Sequence, residues 1–150
     1  MGISACFPNH LIDSERAEGN DVFHHPCRAL GGFNNGARSY MQWNLVLGQD
    51  KKSLFDWTQN SLVNIDRTTG QIIRNDEYYL MKHLSHFVQG GIHLLKTVED
   101  KNMLAFVTKE GQKVIVVYNP SDAESQKVIN IDGKTMSLTL KAKSINTIVL

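Results

Sequence analysis

Apolar and polar positions follow two different rhythms along this chain, and the change falls near Gly90-Gly91. Upstream, "HLIDSE" (10–15) is a short apolar run ending in acids, which reads as a strand entering a polar loop. "HHPCRALGGFNNGA" (24–37) is weakly helical: Pro26 suits a first helical position, while Gly31 and Gly32 weaken the centre. "RSYMQWNLVLG" (38–48) is almost continuously apolar and predicts a strand covered on both faces, as in a parallel α/β sheet. Residues 48–74 form a long polar connection in which "SLVNI" is strand-like. "NDEYYLMKHLSHFVQGG" (75–91) is the clearest helix. Asn75 is its expected N-cap, Asp76 and Glu77 suit the positive end of the dipole, and Gly90-Gly91 is the expected stop. Leu80, Leu84, Phe87 and Val88 make its apolar stripe.

Downstream of Gly91 the period shortens. "IHLLKTV", "NMLAFVT", "QKVIVVYN", "QKVINI", "TMSLTL" and "INTIVL" are strand-like runs separated by turn signals, among them the tight-hairpin sequences "KEGQ" and "DGK". Short strands with close turns predict an antiparallel sandwich or barrel. The expected organisation is therefore α/β plus all-β: residues 1–90, then an antiparallel β module over 91–150.

Composition narrows the function classes. Hydrophobic content of 41% and charged content of 21% predict a packed globular chain. A net charge of +1 gives no electrostatic case for a nucleic-acid partner. No apolar stretch approaches the roughly 18 residues that a membrane-spanning helix needs. "MGISACFPNHLIDSE" lacks the basic start and long apolar centre of a signal peptide, and reads like the interior of a protein. Cys6 and Cys27 make neither a CxxC pair nor a metal framework. His24-His25, and His83 with His86, are not completed into ligand sets by acids or cysteines at suitable spacing, so no metal or other cofactor is expected. His83 and His86 read instead as helix residues meeting the neighbouring module.

"QWNLVLGQD" (42–50) is the chemically odd stretch. A strand built only for packing has little use for Gln42-Trp43-Asn44 near its end. From the residues alone, Trp43 is a core residue or a ligand platform, and Glu15 is a strand-end acid.

The segment order resembles the C-terminal part of glycoside hydrolase family 30, which includes glucosylceramidases and β-1,6-glucanases. "FPNHLIDSERAEG" is similar to the family's seventh barrel strand with its Ser-Glu ending. "YMQWNLVLGQD" is similar to the eighth strand with its Trp-Asn, and "DWTQNSLVNID…NDEYYLMKHLSHFVQGG" to the following loop and helix. "GQKVIVVYNPS" resembles a strand of the accessory β-sandwich. The resemblance implies an incomplete (β/α)8 barrel remnant over 1–90 followed by a β-sandwich over 91–150. It places Glu15 at the catalytic nucleophile, Trp43 and Asn60 in the sugar subsite, and Trp57 at a loop tryptophan that either packs or contacts sugar. Asp13 shares the strand side of Glu15 and takes a hydrogen-bonding role, and Glu18 is a solvated acid. The family's acid/base glutamate follows the fourth barrel strand and has no counterpart in these residues. The implied partners are a carbohydrate or glycoside substrate, including sphingolipid glycosides, and the missing barrel portion. Full-length relatives are secreted, periplasmic or lysosomal. The isolated chain is expected to be inactive. The alternative reading is a non-catalytic carbohydrate-binding or interaction module built on the sandwich.

Overall fold

The computed structural model describes residues 3–6, 24–52, 54–56, 58–88, 92–95 and 100–150, with side chains described from Ala29 onward. The elements run β1 (Ile3–Cys6), α1 (His24–Asn34), β2 (Val46–Gly48), β3 (Val63–Ile65), β4 (Ile72–Arg74), α2 (Asp76–Ser85), β5 (Ile92–Leu95), β6 (Met103–Thr108), β7 (Lys113–Asn119), β8 (Ser125–Ile131), β9 (Lys134–Leu140) and β10 (Ser144–Val149). All six downstream runs form strands.

Three layers result. The central one is an antiparallel sheet in the order β1-β10-β7-β6-β5. Alternation along β7 decides what lies on each face. Val114, Val116 and Tyr118 point to one side and join Leu104, Phe106 and Ile145 against Ala29 and Leu30 of α1 and Leu80 and Leu84 of α2. Ile115 and Val117 point to the other side, where Ile129 and Leu140 of the β8–β9 hairpin cover them. A strand buried on both faces is apolar at nearly every position, which is why "KVIVVYN" carries no polar alternation until Asn119. The helices thus share a core with the sandwich sheet. The sheet also takes in β1, whose register on β10 runs from Ile3↔Thr147 to Cys6↔Ser144.

Turn chemistry fixes the hairpins. The β8–β9 turn is Asp132-Gly133 with φ of 50° and 75°. Two positive values are what a two-residue type I′ turn requires, and this turn matches the right-handed strand twist. At the end of α1, Gly36 adopts φ 92°, so that Gly36 N–H reaches Phe33 O at 3.0 Å and Ala37 N–H reaches Gly32 O at 2.9 Å. That is a Schellman closure, and it ends the helix despite the internal Gly31 and Gly32.

Several expectations are corrected. The strand expected over 38–48 and covered on both faces is only Val46–Gly48, and Met41 and Leu45 on its approach are 90% and 66% exposed. β2 pairs in parallel with β3 alone, so it has a ladder on one side only among the described residues, and its Val46 is exposed. The polar connection 48–74 contains, beside β3, an unexpected strand β4, which pairs with β3 through a turn closed by Asp66. Asp66 Oδ1 accepts Thr68 N–H at 2.8 Å and Thr69 N–H at 3.3 Å, and the first of these bonds helps to hold its carboxyl below the usual range. The helix expected to reach Gly90-Gly91 closes at Ser85, with Phe87 N–H turned onto Leu84 O. Val88 therefore falls beyond the packed stripe and is exposed. The strand expected over 10–15 lies outside the described residues.

Candidate functional site

The site read from the sequence centres on the entry to β2. Asn44 N–H donates to Asn60 O at 3.1 Å, and Leu62 N–H donates back to Asn44 O at 3.0 Å. Val63 N–H donates to Leu45 O at 3.0 Å and leads into the parallel β2–β3 ladder. These bonds bring Trp43 and Asn60, seventeen positions apart in sequence (60 − 43), to adjoining places on one rim. The Asn44 side chain is committed within the protein: its Nδ2 donates to Gln59 Oε1 at 2.8 Å. Gln42 Nε2 donates to Trp43 O at 3.3 Å, and Tyr40 OH donates to Gln42 Oε1 at 3.2 Å. The Trp43–Asn44 peptide bond is cis.

Trp43 is 79% exposed. Among the described residues this indole packs against almost nothing, as do its neighbours Met41 and Leu45. An exposed indole offers an apolar face to sugar C–H groups and an N–H to an oxygen. Glu15 and Trp57 lie outside the described residues.

What holds this rim in place is a buried amide network that the sequence reading missed. Asn64, 2% exposed, donates through Nδ2 to Gly48 O at 2.8 Å and accepts from Asn75 Nδ2. Asn75 Nδ2 also reaches Ser61 O at 2.8 Å, and Ser61 Oγ donates to Val63 O at 3.0 Å. Asn75 occupies the N-cap position of α2, as expected, yet its side chain makes no cap bond. It is spent on tying the helix start to β3. The signal available beforehand was Asn64 itself, a polar residue in the middle of the apolar run "LVNI".

Elsewhere, His83 of α2 is buried and its Nδ1 lies 2.8 Å from Thr147 Oγ1 of β10. Burial, reinforced by the Lys82 charge, lowers its pKa to about 4. This is the helix-to-module contact expected for His83. Among the described residues no three His, Cys, Asp or Glu side chains gather into a metal-binding group. Among the same residues no helix is long and apolar enough to cross a membrane. The aromatic residues of 92–150, Phe106 and Tyr118, are both buried in the core, so the sandwich presents no aromatic surface to a sugar.

The antiparallel sandwich is matched by the family model described as the glycosyl hydrolase family 30 beta sandwich domain, over residues 94–148. The rest of the chain continues a likeness of fold. With SrfJ from Salmonella typhimurium the chain shares a TM-score of 0.79 at 23% identity, covering 97% of this chain and 33% of that one. With the endo-β1,6-glucanase BT3312 the TM-score is 0.69 at 23% identity, covering 84% of this chain and 30% of that one. No curated protein matches the sequence. The chain therefore spans about a third of the length of these solved structures. The family 30 resemblance carried by the sequence motifs holds. The sandwich is joined to the upstream segment through the face of its central sheet that α1 and α2 cover.

Proposed function

We propose that these residues are the C-terminal portion of a retaining β-glycoside hydrolase of family 30. In this reading, residues 1–90 are the last two β/α units of a (β/α)8 barrel, and residues 91–150 are its accessory sandwich. Glu15 is the nucleophile, and Trp43 and Asn60, with Trp57 as a weaker member, belong to the sugar subsite. The observation that carries the reading is the bare Trp43, hydrogen-bonded through its neighbour Asn44 to the Asn60 loop, in a chain whose residues 94–148 match the family 30 sandwich model. Exposed Met41, Leu45 and Val46 support it, because neighbouring barrel strands would bury them.

The chemistry follows from two carboxyl groups about 5–5.5 Å apart. A Glu15 oxygen attacks the anomeric carbon as the glycosidic C–O bond breaks, and a second carboxyl, from barrel polypeptide outside these residues, protonates the leaving oxygen. That second group then takes a proton from water. The water oxygen attacks the same carbon and frees Glu15. Trp43 stacks on the ring and orients it. The substrate is a β-linked glycoside of the kind cleaved by glucosylceramidases or β-glucanases.

The test compares the 150-residue chain with the natural gene product on aryl β-glycosides and β-1,6-glucan. Turnover by the full product, lost in Glu15→Gln and absent from the 150-residue chain, is the expected result. Turnover by the 150-residue chain would defeat the assignment of the acid/base to polypeptide outside it. An inert full product would defeat the whole reading.

A further inference from the structure

Two places in the chain invite a backbone nitrogen to attack the side-chain carbonyl before it. They are Asn35-Gly36 and Asp132-Gly133, the chain's only Asn-Gly and Asp-Gly pairs. A glycine in second place puts no side chain in the way of its own nitrogen. In an unfolded chain at neutral pH the asparagine reacts first, because ammonia leaves an amide more easily than water leaves a carboxylate. The fold sets the two places in opposite conditions.

Asn35 is tied at both reacting groups. The Gly36 N–H, which would have to supply the nucleophile, donates to Phe33 O at 3.0 Å as part of the closure of α1. The amide that would depart donates through Nδ2 to Gly31 O at 2.8 Å. Ring closure at Asn35 therefore has to undo the end of the helix.

Asp132-Gly133 is arranged the other way. The pair fills the two central positions of the type I′ turn between β8 and β9. The N–H groups at these positions lie outside the strand ladder, and no described residue accepts the Gly133 N–H. The Asp132 side chain is 67% exposed. Space does not separate the two places, since a Cβ would meet no atom within 4 Å at either Gly36 or Gly133. Bonds do. Among the described residues, what holds the Asp132 carboxyl is one ion pair, with Lys113 at the start of β7 in the other layer. An exposed pair of this kind is weak and opens readily.

We propose that Asp132 is the chain's site of spontaneous isoaspartate formation, and that Lys113 restrains it. The Gly133 nitrogen bonds to Asp132 Cγ, its proton goes to solvent, and a carboxyl oxygen departs as water, leaving a cyclic imide. Water then adds to one of the two imide carbonyls. If the bond from nitrogen to Cγ breaks, Asp132 is restored. If the bond from nitrogen to the main-chain carbonyl carbon breaks, the main chain runs through Cγ. The water lost is the water regained, so the change is an isomerisation and needs no other reactant. The product has a main chain one methylene longer inside a two-residue turn, which opposes the Ile131↔Lys134 register. Ile129 and Leu140 of this hairpin cover Ile115 and Val117, so the modification loosens that side of the core.

The protein at its natural length, stored at neutral pH either folded or in guanidinium, tests this. Peptide mapping against synthetic isoaspartyl standards reads both places over time. In the folded protein Asp132 is expected to convert ahead of Asn35, and in guanidinium the order is expected to reverse. Lys113→Gln should raise the folded-state rate at Asp132 severalfold and leave the rate in guanidinium unchanged. Lys113→Arg keeps the ion pair and should keep the slow rate, which separates loss of the pair from loss of the fold. Conversion of Asn35 ahead of Asp132 in the folded protein would overturn the inference. So would a folded protein whose Asp132 stays intact while the unfolded one converts. Equal folded-state rates in the native protein and Lys113→Gln would overturn the restraint assigned to Lys113.

Discussion

The imidazole Nδ1 of His83 lies 2.8 Å from the hydroxyl of Thr147, joining α2 to strand β10 of the central sheet inside the core. With a folded pKa of about 4 against an ordinary 6.5, His83 is neutral in the folded protein at neutral pH. The unfolded chain binds a proton near pH 6.5 and the folded chain does not until near pH 4, so this residue's contribution is complete above pH 6.5. It falls away as the pH drops from 6.5 to 4, by an amount on the order of 3 kcal/mol. Urea midpoints measured across that range should decline, and His83→Gln should flatten the decline. An unchanged slope in the variant would remove His83 as its source.

Asn64 anchors the rim of the candidate site, and Asn64→Leu should expose that dependence. The variant removes the Asn64 partner of Gly48 O and one of the two acceptors of Asn75 Nδ2, which keeps Ser61 O. A loss of about 2–4 kcal/mol is expected, from one or two unsatisfied polar groups. Equilibrium unfolding measures it, and a loss under half a kilocalorie would show that water replaces the amide.

Asn119 ends β7 with a side chain that closes two loops. Its Nδ2 reaches Ala123 O and Lys141 O, each at 2.9 Å, and its Oδ1 accepts Ser121 N–H at 3.1 Å. Asn119→Ala should cost about 2–3 kcal/mol. It should also speed amide exchange at Ser121 and Ala123 before the rest of the sheet, which separates loop release from general weakening.

At the β8–β9 turn, Gly133→Val places a β-branched residue at φ 75°. About 1–2 kcal/mol of strain is expected. Gly133→Asn, which tolerates that conformation, should recover most of it in a thermal melt.

Trp43→Ala in the full-length protein should raise KM for a glycoside, with the folded state unchanged, since so exposed a ring contributes little to packing. A fall in the melting temperature instead would return Trp43 to a structural role.

The sequence announced most of the sandwich because its two devices are local. Strand period and turn residues are both visible in a few positions, as "KEGQ" and "DGK" show. The double burial of β7 was also legible in "KVIVVYN". What was hidden depends on partners remote in sequence. The pairing of β1 with β10 joins residues at opposite ends of the chain, and no short window contains it. The shortness of β2 was hidden for the opposite reason: "YMQWNLVLG" has a buried strand's composition, but the neighbours that such a composition calls for are not among the described residues. Asn75 shows a third limit. Its position at the head of α2 was read correctly, yet its side chain went to Asn64 and Ser61, because satisfying a buried amide outweighs a cap that water can supply. For the candidate site, the join of Trp43 to the Asn60 loop is now visible, while Glu15 still stands on the sequence alone.

The position of β10 bears on the order in which this sheet assembles. It sits between β1 and β7 rather than at an edge. Until Ser144–Val149 has docked, β1 has no neighbour and β7 lacks one side of its ladder, and α1 and α2 wait with them for Ile145 and Thr147. A substitution that weakens β10 would therefore open the interior of the sheet and not its rim. Both edges it bares are long, and aggregation should then overtake folding.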